Sequence, residues 1–81
     1  MITIEVRLYA TLTKHRPGCR SGECLALEIA EGTNIRHALE DEVGVPPDEV
    51  KTVFVNGVAR DFDHALGDGD RVGIFPPVAG G

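Results

Sequence analysis

The sequence contains no long apolar run. Its 81 residues are 42% hydrophobic and 26% charged, a balance typical of globular proteins, and no stretch approaches the roughly 18 apolar residues that a membrane-spanning helix needs. Residues 1–4 also lack the basic start and apolar block of a signal peptide. We therefore expect no membrane association and a cytoplasmic location.

The chain is short for a protein with an enclosed active site. A length of 81 residues corresponds to one small domain, which buries about 60 to 65% of the surface of its unfolded chain. A large enclosed substrate cavity is not expected in a domain of this size.

Basic residues are scarce. Eight Lys and Arg stand against 13 Asp and Glu, which gives a formal net charge of −5 at pH 7, and the acidic residues cluster at 40–42, 48–49 and 61–70. Such a surface repels phosphate backbones, so nucleic acid is not an expected partner. A partner protein with a basic pocket fits this charge, although acidic faces that only maintain solubility explain the same residues.

Only two cysteines are present, Cys19 and Cys24, in what reads as a loop. In a cytosolic chain, free thiols are favoured over a short-loop disulfide. His15 and both cysteines would supply three metal ligands, whereas a structural zinc site needs four. The same residues offer a nucleophile and a base without a third group to orient the base, so a stand-alone enzyme is disfavoured.

The first half of the chain reads as a hairpin followed by a helix. Side chains alternate between two faces over 2–9 and again over 25–30, which predicts two strands joined by a long loop. Thr33 is expected to cap a helix that begins near Asn34, because its hydroxyl can accept from amides of the first turn. Gly44 ends the helix. The apolar stripe that faces the sheet consists of Ile35, Ala38, Leu39 and Val43.

The second half of the chain predicts three more strands. Residues 50–55 form the third strand, and Asn56-Gly57 is a two-residue turn signal because both positions tolerate positive φ. A short return strand is expected at 58–60. Residues 71–75 form the closing strand.

The acid-rich segment before the last strand, Asp68-Gly69-Asp70, contains two of the residues that a calcium loop would use. It lacks the required number of ligands and a bidentate glutamate at the right offset. A turn is therefore favoured over a metal site, and no cofactor is expected to bind to this chain.

Alternation divides the last strands between two faces. The residues expected to face the helix are Val53, Val55, Val72 and Ile74. The residues expected on the opposite face are Thr52, Phe54, Arg71 and Phe75, joined by Arg7 and Tyr9. An exposed aromatic patch there would suit partner docking, with packing of Phe54 and Phe75 beneath loops as the alternative.

The sequence ends in Phe75-Pro76-Pro77-Val78-Ala79-Gly80-Gly81, directly after the predicted last strand. The prolines fix φ near about −65° and cannot donate to a neighbouring strand, and the glycines let a partner's site close around the main chain. Fully extended, the six residues 76–81 reach about 20 Å. The sequence therefore predicts a domain at 1–75 and a flexible C-terminal tail at 76–81, with a simple frayed end as the alternative.

The predicted order of strand, strand, helix, strand, short strand and strand resembles the β-grasp of ubiquitin-like proteins. The resemblance implies an α+β fold with a mixed four- to five-stranded sheet, one main helix on one face and an extended C-terminal tail. Three motifs are similar, more narrowly, to the MoaD/ThiS sulfur carriers and above all to the small subunit of molybdopterin synthase. They are Val55-Asn56-Gly57, Leu66-x-Asp68-Gly69-Asp70-x-Val72, and the segment from Phe75 to Gly81.

The resemblance implies a non-catalytic carrier whose reactive group is the carboxylate of Gly81. An ionised carboxylate is a poor electrophile at neutral pH and needs activation. In the family, a ubiquitin-activating-like adenylyltransferase uses ATP to join AMP to this carboxylate, and a sulfur donor displaces AMP to leave a thiocarboxylate. The residues implied to contact partners are Gly80, Ala79, Val78, Pro77, Pro76, Phe75, Phe54 and Arg71.

The implied sulfur acceptor is held by the large subunit of molybdopterin synthase, in a heterotetramer that serves molybdenum cofactor biosynthesis. Thiamine, cysteine or transfer-RNA thiolation would use the same activated terminus. A protein modifier would instead pass the acyl group of Gly81 to a lysine amine. Because the sequence has no Gly-rich phosphate loop that opens a helix, we expect the ATP site to belong to the partner.

Overall fold

The computed structural model describes residues 1–15 and 24–77, with only the backbone of Cys24. Within these residues, five strands form one mixed sheet in the order β2-β1-β5-β3-β4. They are β1 Ile2–Leu8, β2 Cys24–Ile29, β3 Thr52–Val55, β4 Val58–Arg60 and β5 Arg71–Phe75. β1 and β5 pair in parallel, and the other neighbours are antiparallel. This sheet confirms the α+β prediction.

β5 is the central strand of the sheet, bonded to β1 on one side and to β3 on the other. Its two neighbours hold it along its length, so the segment that follows Phe75 leaves from a fixed point in the middle of the sheet. The strands bury alternate side chains against the helix, as the period-two pattern predicted. These buried strand residues include Ile4, Val6, Leu8, Val53, Val55, Val72 and Ile74.

The main helix covers the buried face of the sheet. It begins as α1, Ile35–His37, and continues as wider π-helical turns over Ala38–Val43. The predicted apolar stripe is buried. Gly44 ends the helix with φ of 81°, in the left-handed region that favours glycine. No helix in the described ranges is long and apolar enough to cross a membrane.

The prediction that Thr33 caps this helix was wrong. The cap is Asn34, whose Oδ1 accepts a hydrogen bond from the His37 amide at 2.8 Å. The Thr33 hydroxyl instead donates to the Ala30 carbonyl at 2.6 Å. Thr33 therefore stabilises the turn that precedes the helix, and the cap lies one residue later than predicted.

The segment between β4 and β5 covers the start of the helix. The amides of Ile35 and Arg36 donate to the carbonyls of His64 and Phe62, each at 3.0 Å. Arg36 also pairs with Asp63 at 2.7 Å. The first helical amides are thus satisfied by a part of the chain that is distant in sequence.

The connection after β1 is more regular than predicted. Residues Ala10–His15 form a 3₁₀-helix, and Leu12 is fully buried in the core. Ala10 enters this helix with φ of 54°, a conformation that is uncommon for a residue with a side chain. Cys19 lies outside the described residues.

The third strand is shorter than the predicted range 50–55. A second 3₁₀-helix, Pro47–Glu49, precedes it, and the Val50 amide donates to the Pro47 carbonyl at 3.0 Å. The predicted turn after β3 is confirmed, because Asn56 and Gly57 adopt φ values of 53° and 83°.

Candidate functional site

Three aromatic rings form a continuous surface on the sheet face opposite the helix. Tyr9 and Phe75 stack with centroids 4.3 Å apart and 7° between their planes. Phe54 meets Phe75 edge-to-face at 5.5 Å and 85°. The edge-to-face arrangement is one of the favourable geometries for ring pairs. We refer to Tyr9, Phe54 and Phe75 as the aromatic surface, and its position confirms that these residues share the face predicted for them.

Strand register explains why the rings meet. On β5, Gly73 pairs with Phe54 of β3 on one side and with Arg7 of β1 on the other. The Tyr9 amide donates to the Ile74 carbonyl at 3.2 Å, which extends the β1–β5 pairing by one residue. This bond places the Tyr9 ring beside that of the last β5 residue.

The aromatic surface combines a packed part with an open part. Tyr9 and Phe75 are half-buried, whereas Phe54 is 36% exposed. Phe75 contacts both other rings, so it belongs to a small satellite cluster as well as to the surface. Phe54 is therefore the more accessible ring, and partner docking at this surface stays a prediction.

The rings border an open depression of about 310 Å³. Gly73 lines it where a side chain is missing, and Arg7 and Arg71 lie at its rim. Arg71 is exposed, with its Nε 3.8 Å from Glu5 Oε2, and such a long surface ion pair contributes little to stability. The guanidinium of Arg71 therefore stays accessible to a partner.

The predicted tail starts beside the aromatic surface. The Phe75 carbonyl accepts from the Lys51 amide at 2.9 Å, so the backbone is held to the sheet up to the last β5 residue. Pro76 follows half-buried and Pro77 is exposed. Four predicted site residues lie outside the described residues: Val78, Ala79, Gly80 and Gly81. The flexibility of the tail therefore stays a prediction.

The acid-rich motif before β5 is a hydrogen-bonded turn. Asp70 accepts from the Gly67 amide at 2.7 Å and from Asn56 Nδ2 at 3.0 Å. Asp68 accepts from the Thr3 amide at 2.9 Å. These bonds tie the turn to β1 and to the β3–β4 turn, and so they position the start of β5. Within residues 1–15 and 24–77, no three potential metal ligands come together.

His15, one of the residues considered for metal binding or catalysis, contacts the carboxylate of Glu49. Its Nε2 lies 3.3 Å from Glu49 Oε1, and Lys14 Nζ lies 2.9 Å from the same oxygen. The hydrogen bond from Lys14, and then that from His15, hold the pKa of Glu49 below its ordinary value of 4.5. This cluster joins the two 3₁₀-helices.

Comparison with known proteins finds a matching family model and similar solved structures. The family model described as Mut7-C ubiquitin matches residues 1–80. The structure of SAMP1 from Haloferax volcanii is 26% identical, with a TM-score of 0.71 over 98% of this chain and 99% of that chain. No match was found among the curated proteins.

Two further structures belong to molybdopterin-converting factors. A protein from Pyrococcus furiosus, described as molybdopterin converting factor subunit 1, is 26% identical, with a TM-score of 0.73 over 96% of this chain and 100% of that chain. A complex of subunits 1 and 2 of the factor from Helicobacter pylori matches at 24% identity, with a TM-score of 0.60 over 99% and 100% of the two chains. These similarities confirm the predicted ubiquitin-like β-grasp fold and the resemblance to MoaD/ThiS-like proteins.

Proposed function

This chain belongs to the Mut7-C ubiquitin family, and on that premise we propose that it is a sulfur carrier acting through the carboxylate of Gly81. A carboxylate oxygen attacks ATP held by a ubiquitin-activating-like adenylyltransferase, and pyrophosphate leaves. Sulfide supplied by a sulfur donor then attacks the acyl carbon, and AMP leaves with that oxygen. The resulting thiocarboxylate carries the sulfur to an acceptor enzyme.

The observation that supports this proposal best is the position of the aromatic surface at the end of β5. Phe75 belongs to that surface and is also the last residue of the central strand, and Pro76 and Pro77 follow at once. A protein docked on the aromatic surface therefore lies beside the start of the tail. Because the tail reaches about 20 Å when extended, Gly81 can enter an active site on that protein.

We propose that the carrier and its partners supply different parts of the reaction. The chain supplies docking contacts and an acyl group, and the ATP site and the catalytic groups belong to its partners. Glycine at positions 80 and 81 lets a narrow groove close around the backbone. We therefore propose a carrier subunit without catalytic activity of its own and without a bound cofactor.

Molybdopterin synthesis is the pathway that we favour. The similarity to a molybdopterin converting factor subunit 1 supports it, as does the Phe75-Pro76-Pro77 motif. The Helicobacter pylori subunit 1 occurs in a complex with subunit 2, and we propose an equivalent large subunit as the partner here, in a heterotetramer. Thiamine, cysteine or transfer-RNA thiolation would use the same activated carboxylate.

Protein modification is the second candidate function. It is supported by the 26% identity to SAMP1, the small archaeal modifier protein 1 of Haloferax volcanii. In this case a lysine amine attacks the activated carbonyl of Gly81 and forms an isopeptide bond. The two functions share the adenylation step and differ in the nucleophile.

Intact-mass spectrometry separates these functions. The full chain is incubated with the adenylyltransferase of the same organism, ATP and a sulfur donor, and a sulfur carrier gains the mass of one oxygen replaced by sulfur. Conjugates to other proteins that persist under reducing conditions indicate the modifier.

Two valine variants test the site. Gly81→Val should lose charging without a change in melting temperature, because the added side chain meets the partner's groove and not the domain. Ala26→Val, which adds the same side chain to an exposed position on β2, should charge normally. Equal sulfur loading of Gly81→Val and the unaltered chain would contradict the proposal.

A further inference from the structure

The exposed face of the sheet has a gap in its central strand. Across one row of paired residues lie Phe54, Gly73 and Arg7, on β3, β5 and β1. The middle position of this row has no side chain. The gap opens into the depression beside the aromatic surface.

The fold itself does not require glycine at this position. The backbone of Gly73 is not in the positive-φ region, unlike that of Gly44 or Gly57. A Cβ on Gly73 would lie 3.5 Å from the Phe75 ring and 3.6 Å from the Tyr9 ring, which is ordinary van der Waals contact. Glycine in a strand interior weakens the strand, and it often marks a place where a ligand approaches the backbone closely.

The lining of this depression defines the chemistry of its ligand. Gly73 turns its amide and carbonyl toward β3, as the neighbouring bond from the Asn56 amide to the Arg71 carbonyl at 2.8 Å shows. The floor therefore presents no free backbone group, and aromatic rings form the walls. Among the described residues that line the depression, two are arginines, Arg7 and Arg71, and none is Asp or Glu. This spot is cationic on a chain whose net charge is −5.

We propose that the depression at Gly73 is an anchor pocket that takes one large apolar side chain from a partner segment, with an adjacent Asp or Glu on that segment binding the arginine rim. The aromatic walls contact the apolar group, and the guanidinium groups form charge-assisted hydrogen bonds with the carboxylate. This inference rests on the proposed function, which identifies the partner as an enzyme that binds the carrier. It adds that the partner contacts the pocket through an apolar residue next to an acidic one.

The open shape of the pocket favours a protein segment over a free metabolite. Small-molecule sites bury most of their ligand in a cleft, whereas this depression lies on an open sheet face. An inserted side chain has the surrounding aromatic surface to support it, as anchor residues at protein interfaces do. The occupant is thus one residue of a larger contact.

A peptide titration tests the pocket directly. The full ¹⁵N-labelled chain is titrated with a blocked pentapeptide that has phenylalanine at its centre and a glutamate on each side. We expect saturable shifts of the Gly73 amide. Replacing the central phenylalanine by alanine, or both glutamates by lysines, should weaken binding by about tenfold or more.

Two variants and a control complete the test. Gly73→Ala should bind the peptide about tenfold more weakly, with a melting temperature that is unchanged or higher, because the methyl group occupies the floor. Arg71→Gln should reduce the preference for glutamate over lysine. Ala26→Val, on the same sheet face but outside the pocket, should bind as the unaltered chain does.

Three results would overturn the proposal: no saturable shift at Gly73, equal binding of the glutamate and lysine peptides, or undiminished binding to Gly73→Ala. The peptide series on the unaltered chain is decisive even if a variant fails to fold. The outcome is independent of Gly81 charging. Sulfur loading without peptide binding would contradict only the pocket proposal. Peptide binding without sulfur loading would contradict only the proposed carrier function.

Discussion

Replacing Phe75 by alanine should lower the free energy of unfolding by about 2 to 3 kcal/mol. A fully buried phenylalanine costs about 3 to 5 kcal/mol when truncated, and Phe75 is only half-buried. Its two ring contacts, to Tyr9 and Phe54, contribute about 0.5 to 1.5 kcal/mol each. For a domain of this size, the melting temperature should fall by about 10 to 20 °C.

Phe54→Ala is the matched comparison. Phe54 has one ring contact and is 36% exposed, so its truncation should cost about 1 kcal/mol. Equilibrium urea unfolding of both variants, with the slope m checked for constancy, measures the two losses. An equal loss for the two variants, or a larger one for Phe54→Ala, would refute the idea that ring contacts at Phe75 stabilise the domain.

The same pair of variants separates docking from folding. Phe54→Ala should slow sulfur loading by about tenfold or more, since exposed aromatic anchors dominate many interfaces, although the domain stays folded. Val58→Ala is the control, because Val58 is also an exposed large apolar residue but pairs with the buried Val55 and so lies on the other face. If Val58→Ala slows loading as much, the aromatic surface is not the docking site.

Three further predictions concern the scaffold. Leu12→Ala should cost about 3 kcal/mol because Leu12 is fully buried, and a loss below about 1 kcal/mol in urea unfolding would argue against that packing. Asp70→Ala should cost about 1 to 3 kcal/mol through its two lost hydrogen bonds, and unchanged hydrogen exchange at the Gly67 amide would contradict this. Glu49 has a lowered pKa, so its ion pairs stabilise the fold above about pH 4.5 and lose this effect as the pH falls through the folded-state value. The free energy of unfolding should therefore fall less steeply with decreasing pH below about pH 4.5 in Glu49→Gln than in the unaltered chain. Identical slopes for the two proteins would refute the role of the Glu49 ion pairs.

Local patterns were sufficient where one physical effect dominates. The period-two alternation over 2–9 predicted β1, Ile2–Leu8, to within one residue, because a strand with one buried face leaves no other arrangement of its side chains. Asn56-Gly57 predicted the hairpin turn because few other pairs tolerate two positive φ values.

Local patterns failed where two solutions compete. Thr33 and Asn34 are adjacent, and both side chains can cap a helix. In the structure, Asn34 caps the His37 amide. The two preceding amides, those of Ile35 and Arg36, bind carbonyls of the segment between β4 and β5. The sequence of the 3₁₀-helix Ala10–His15 has no clear hydrophobic periodicity. Its packing role, burial of Leu12 in the core, is visible only in the structure.

The sequence by itself determined which residues face the helix and which face outward, since side-chain direction alternates along each strand whatever its neighbours are. Only the tertiary structure decided that Tyr9 stacks on Phe75 and that Gly73 lies between Phe54 and Arg7. The parallel pairing of β1 with β5 joins opposite ends of the chain, and its register depends on long-range hydrogen bonds and shared core packing that no local pattern encodes.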